Sequence, residues 1–311
     1  MFHGDGLKAI TPVIRELAVR EVGGWPCGRP FAVLPRMRSL ALSVAVRLIL
    51  GIDNSAGVAH VERLLSEAVR PYSMLSGVSA LARLGPLSPQ AAADRGHKAF
   101  ARGLAGAVRC RREDPGDEMP VPGLLGPNEV FALLLAAHET TATALAWTIE
   151  LLAWAPCAAD AVARELPGSD RPSLDAVIWE SLRLRPPLVD IVRQANTPAR
   201  LAGWSVPAGA LLLIPPPLIH RAAAAEEGVA FEVARLQGSR PDPRTWLPFG
   251  GGDRRCLGAS LATLELREIL PQIIERFQLT PARSEPERPR LYGTALVPDR
   301  GACVVLSPRR E

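Results

Sequence analysis

Apolar residues recur at three- and four-residue spacing through KAITPVIRELAVREV (8–22) and LPRMRSLALSVAVRLILGI (34–52), which predicts two amphipathic helices. The same spacing continues through VERLLSEAVRPYSML (61–75) and AAADRGHKAFARGLAGAVRCRRED (91–114). Between Glu113 and Asn128 the stretch DPGDEMPVPGLLGP is rich in Pro and Gly and predicts a loop. From Asn128, a residue suited to an N-cap, NEVFALLLAAHETTATALAWTIELLAWA runs unbroken to Pro156 and is apolar on nearly every side. That pattern predicts a long, buried, central helix of roughly 40 Å.

A shorter helix, SLDAVIWESLRLR (173–185), is stopped by Pro186 and Pro187, and the texture then changes. ARLAGWSVPAGALLLI (199–214) alternates and carries turn residues, as short strands and a hairpin do. SLATLELREILPQIIERF (260–277) predicts a last helix, and TALVPDRGACVVLS (294–307) a closing strand. The chain therefore reads as one domain over 1–311, mainly α with a small β-sheet region.

Composition narrows the function. A chain of 311 residues with 48% hydrophobic content supports a sizeable core. No apolar run reaches the eighteen or so residues of a membrane span, and MFHGDGLK lacks the basic start and apolar middle of a signal peptide. The expectation is a soluble, cytoplasmic protein with no membrane association. Five scattered cysteines without a C-x-x-C pair argue against a disulfide framework and a structural zinc site. The net charge of +4 is carried almost wholly by arginine, with no basic stretch interleaved with aromatics, so no nucleic-acid partner is expected.

The chemistry concentrates in FGGGDRRCLG (249–258), where a lone Cys256 stands among Gly250, Gly251, Gly252 and Gly258 ahead of the last helix. Unpaired N–H groups and the dipole at a helix N-terminus favour a thiolate, which is a good iron ligand. Glycines let a flat macrocycle lie close against the backbone. Two other readings compete: a buried structural cysteine, and a phosphate loop. The latter lacks GK[ST], and Arg255 breaks G-x-G-x-x-G.

These residues resemble the haem-thiolate loop F-x-x-G-x-R-x-C-x-G of the cytochrome P450 family, matching at Phe249, Gly252, Arg254, Cys256 and Gly258. Three further places are similar to the family. Glu180 and Arg183 in WESLR form E-x-x-R, whose bland alternative is a solvated ion pair, and Arg235 in FEVARLQG takes the position of the arginine that completes the family's triad. There Val233, Ala234 and Leu236 depart from the family's pattern. AAHETT (136–141) is similar to A-G-x-[DE]-T-T, with Ala137 in place of glycine. By resemblance Glu139 and Thr140 deliver protons to bound dioxygen, the alternative being a threonine that bends its helix by bonding back to the backbone. Arg193 falls where the family places an arginine on a haem propionate, and Arg254 is a second candidate for that role.

The resemblance implies a partial cytochrome P450 fold, a haem b cofactor and electrons from NAD(P)H through a ferredoxin reductase and a ferredoxin. The implied reaction inserts one oxygen atom from O2 into a small apolar organic substrate. Arg244, Arg254 and Arg255 are a candidate docking face for the acidic donor, the alternative being the general arginine excess of the sequence. MFHGDGLK resembles a segment well inside a family member, so the family's first strands and a helix that holds the propionates are expected to be lacking. The strands near 199–214 would then keep an open edge, haem retention would be weak and turnover impaired. Two functions stay open: a monooxygenase, and a catalytically inactive haem-binding remnant or interaction protein of the same fold. The remaining histidines, His220 among them, are expected at the surface or in packing.

Overall fold

The computed structural model describes residues 5–52, 54–73, 94–104, 125–223 and 230–309. Helices α1 (Asp5–Val22), α2 (Leu34–Leu50), α3 (Ser55–Ser73) and α4 (94–104) precede the central α5 (Pro127–Trp154). After it come α6 (Pro156–Glu165), α7 (Pro172–Leu184), α8 (Pro216–Ala223) and α9 (Ala259–Arg276). The expected loop at 113–128 falls largely outside the described residues, as do both ends of the segment 91–114.

α5 carries the architecture because it has no polar face to expose. Its residues from Thr141 to Ala153 are all buried, and the helix packs along α2, whose own buried positions run from Leu34 to Leu50. α2 stops at Gly51, left-handed at φ 62°, where a side chain would be strained. α5 starts differently from the sequence reading. Gly126 is the N-cap and Pro127 the first helical residue, because proline needs no N–H partner in the first turn. A second correction concerns span length. α5 is long and apolar enough to cross a membrane by length and composition, since its few carboxylates barely lower the mean. Fifty-six per cent of that window is buried inside the molecule, as in a core helix.

α7 opens on Pro172 and is capped from outside: the Glu165 carboxylate accepts from the Ser173 amide (2.9 Å) and hydroxyl (2.6 Å). Among the described residues four small antiparallel sheets flank the helices. One joins β1 (Pro30–Ala32), β9 (Cys303–Pro308) and β6 (Phe277–Pro281) in the order β1-β9-β6. The others are the pairs β2 (Ile191–Gln194) with β5 (Leu211–Ile214), β3 (Ala199–Leu201) with β4 (Trp204–Val206), and β7 (Pro289–Tyr292) with β8 (Ala295–Pro298). Ala202 and Gly203, both at positive φ, make the two-residue turn of the β3–β4 hairpin. β2 and β5 pair in the register Arg193↔Leu212; Ile191, Val192 and Arg193 of β2 all line the interior cavity, and Val192 and Leu213 are more than half exposed.

Candidate active site

The Cys256 loop is shaped by two left-handed backbone positions, Gly250 at φ 67° and Gly252 at φ 66°. Any side chain there costs about 1–2 kcal/mol. With those reversals in place the loop closes on itself. Gly250 donates to the Leu247 carbonyl (3.0 Å), Arg255 to that of Gly252 (3.1 Å), and the Cys256 amide to that of Phe249 (2.9 Å). The cysteine side chain is left exposed. α9 begins one residue before the predicted 260–277: Gly258 is its N-cap, and the Ala259 amide reaches the Cys256 carbonyl at 3.4 Å.

Cys256 faces a cavity of about 480 Å³. Phe249, Gly250, Arg254 and Gly258 line it from the loop, Ala137, Thr140 and Ala144 from α5, and Arg193 from β2. The lining is mostly apolar with a few convergent polar groups, as ligand sites are. Thr140 Oγ donates to the Ala136 carbonyl at 2.7 Å, which directs the hydroxyl proton back into the helix. Arg193 rests on the Val192 carbonyl (2.8 Å), and Arg254 is exposed. Gly252 sits in the loop but outside the lining.

Glu139 is elsewhere. It lies outside the cavity lining, and Arg38 of α2 holds both its oxygens, Nη2 to Oε1 at 2.6 Å and Nε to Oε2 at 2.9 Å. The Arg38 guanidinium is stacked over the Tyr292 ring at 4.6 Å. His138, whose Nδ1 donates to the Leu134 carbonyl at 3.3 Å, has its pKa lowered by burial. The pairing was invisible in sequence because Arg38 and Glu139 are 101 residues apart.

The structure also brings Glu180, Arg183 and Arg235 together. Arg183 grips the fully buried Glu180 carboxylate in a two-pronged contact at 2.7 and 2.8 Å. Arg235 Nε stands 3.9 Å from the same carboxylate, and its Nη2 donates to Glu232 at 2.8 Å. The Glu232 amide donates to Glu180 (3.1 Å), and Arg183 donates to the Ala230 carbonyl (3.2 Å). α7 is thereby fastened to the segment that leads into the cysteine loop. Arg244 of the expected docking face is spent on a forked contact with Asp242.

One buried group, Glu265, escaped the sequence reading, and a second, His220, was expected only at the surface or in packing. Glu265 on α9 lines the cavity, is 2% exposed, and its Oε2 has no hydrogen-bond partner among the described residues. Burial pushes its pKa well above the ordinary value. A signal for it exists: Leu261, Glu265 and Ile269 are four apart, so the acid interrupts an apolar stripe. His220 on α8 is also 2% exposed and is hydrogen-bonded through both ring nitrogens.

The residues present fit a haem. Among the described residues no group of three or more His, Cys, Asp or Glu side chains stands ready to hold a metal ion. The single soft sulfur at the cavity therefore suits a metal whose other ligands come with a cofactor, and bare glycine backbone beside it admits a flat ring.

Comparison with known proteins agrees with that class. The cytochrome P450 family profile matches residues 127–302. A Mycobacterium tuberculosis protein provisionally named cytochrome P450 135B1 is 33% identical over all of this chain and 71% of its own length. Another, provisionally named cytochrome P450 137, is 35% identical over 99% of this chain and 69% of its own. Among solved structures, CYP175A1 from Thermus thermophilus superposes with a TM-score of 0.78 at 26% identity, covering 98% of this chain and 74% of that one. Cyanobacterial CYP120A1 with bound retinoic acid gives 0.82 at 21% identity, over 99% and 76%, a likeness of fold.

The fold is thus that of a mainly helical haem protein with small antiparallel sheets. The chain belongs to the cytochrome P450 family. The family's members are oxygenases that use a haem iron, draw electrons from partner proteins and act on organic substrates.

Proposed function

We propose that this chain, a single domain over residues 1–311, is a cytoplasmic haem-thiolate monooxygenase that inserts one oxygen atom from O2 into a small apolar organic substrate. The reading rests on one observation: the Cys256 side chain, on a loop closed by its own amide and the Phe249 carbonyl, faces a 480 Å³ cavity roofed by Thr140 of α5. Haem b, when bound, supplies the oxygen activation and the one-electron chemistry. Cys256 would supply the sulfur that holds it, Gly250 and Gly258 would leave the backbone bare beside it, and Arg193 and Arg254 would offer cations for its carboxylates. Phe249 closes the loop behind the sulfur through its carbonyl. Ala137, Ala144 and their apolar neighbours keep water from the substrate side.

Thr140 presents a hydroxyl oxygen whose own proton is donated to Ala136, so it accepts a hydrogen bond from a water or other donor on the cavity side. Glu139 reaches the cavity only on leaving Arg38. Electrons come from NAD(P)H through a ferredoxin reductase and a ferredoxin. The second reading, a haem binder without turnover, is favoured by that same ion pair, which keeps the acid out of the cavity lining.

The test is spectroscopic and then chemical. The haem-loaded, reduced protein with carbon monoxide is expected to show the red-shifted Soret band of thiolate ligation, and Cys256→Ala to abolish it. A band that survives the substitution removes Cys256 from the role. Substrate-dependent product with reductase, ferredoxin and NADPH supports the enzyme, whereas the band without product supports the binder.

A further inference from the structure

We propose that His220 is a positioning residue for Cys256: it is the neutral pin that fastens the cysteine loop to the Glu180–Arg183 helix. The inference rests on the reading of Cys256 as the haem ligand, and it concerns a residue that no motif singles out.

A continuous chain of hydrogen bonds carries the argument. The Glu180–Arg183 pair, buried in α7, fixes the end of that helix. His220 Nδ1 donates to the Arg183 carbonyl at 2.9 Å. The other ring nitrogen, Nε2, accepts from the Leu247 amide at 2.7 Å. The Leu247 carbonyl in turn accepts from Gly250, and the next carbonyl but one, that of Phe249, accepts from Cys256. Trp246 supports the same junction, its Nε1 donating to the Trp179 carbonyl at 3.1 Å.

Both contacts are satisfied only by an imidazole with its proton on Nδ1 and a lone pair on Nε2. A proton added at Nε2 destroys the acceptor and leaves the Leu247 amide unpaired beside a buried cation. The surroundings oppose that proton. Burial lowers the His220 pKa, the Arg183 guanidinium lowers it further, and the donation to the Arg183 carbonyl works the other way. The segment on its far side, Trp246 to Phe249, carries no charge. The pin therefore holds while the imidazole is neutral and lets go in acid.

Hydrogen–deuterium exchange of peptides covering 246–258 tests this without cofactor. His220→Leu, which keeps bulk and loses both contacts, is expected to speed exchange there about tenfold, with α5 unchanged. His220→Gln is expected to recover part of the protection and to remove its acid sensitivity. Wild-type protein decides the matter by itself if His220→Leu does not fold. Acidification below pH 6.5 must open 246–258 before α5, and a uniform rise across both overturns the proposal. Equal exchange in the wild type and His220→Leu overturns it as well. On haem-loaded protein, acid should convert the thiolate Soret band to its thiol form in the wild type and spare it in His220→Gln. If Cys256→Ala leaves that band intact, the ligand reading fails, while the exchange result still judges the pin.

Discussion

Arg38 and Glu139 form a forked ion pair between α2 and the middle of α5, with three N–H to oxygen contacts between 2.6 and 3.2 Å. Glu139 side-chain exposure is only 16%, so the pair is shielded more than a surface bridge. Hydrogen bonds to charged groups are worth more than neutral ones, and the partial exposure discounts them. Arg38→Ala is expected to lower unfolding stability by about 1–2 kcal/mol in urea titrations. Arg38→Lys, which keeps the charge and loses the fork, should fall between. No change in either variant would make the pair an accident of the surface.

What the sequence displays and what it hides divide along chain distance. α5, α7 and α9 were legible because each repeats its apolar period over three turns or more. The Cys256 loop and the E-x-x-R pair were legible because their parts are local. β1 and β2 were not, since three or four residues hold too little alternation to count. Glu139 illustrates the limit: its place in AAHETT is plain, but its orientation is set by an arginine 101 residues away. His220 is the same case, since its partners lie 37 and 27 residues off and no spacing announces them.

The Glu180 carboxylate accepts from Arg183 twice and from the Glu232 amide, all in a fully buried setting. Removing it strands the Arg183 cation, which is 6% exposed. Breaking a buried pair from one side costs about 3–5 kcal/mol. Glu180→Ala should give insoluble or cofactor-free protein, measured by soluble yield and melting. A soluble variant with normal melting would show that the Glu232 segment finds another anchor.

Gly252 and Gly258 serve the loop differently, and alanine separates them. At Gly252 nothing among the described residues lies within 4 Å of an added Cβ, so the cost is backbone strain at φ 66°. Gly252→Ala should lose about 1–2 kcal/mol. Gly258 has φ −84°, which alanine adopts freely, and its added methyl would sit 4.0 Å from Cys256 Sγ. Gly258→Ala should melt like the wild type while slowing alkylation of Cys256. The reverse pattern would mean that the loop has a different conformation in solution.

Glu265 sets the direction of one pH effect. The carboxyl is buried among apolar residues of α9, its Oε2 is unpartnered among the described residues, and burial is the cause that raises its pKa well above 4.5. A carboxyl that holds its proton more tightly folded than unfolded binds more protons in the native state above pH 4.5. Its contribution is therefore fully present below the unfolded value and is lost as pH rises from 4.5 toward the folded value. Glu265→Gln has nearly the same shape and no proton to lose. The two proteins should melt at similar temperatures in acid, and the variant should gain over the wild type steadily as pH rises to neutrality. Every other titrating group is common to both, so the difference between the two melting curves isolates this one carboxyl. Infrared spectra just above pH 4.5 supply the second measurement: a protonated-acid carbonyl band is expected in the wild type and is expected to vanish in Glu265→Gln. Parallel melting curves together with no such band would mean that Glu265 is ionised and paired, and that the wall of the cavity carries a charge.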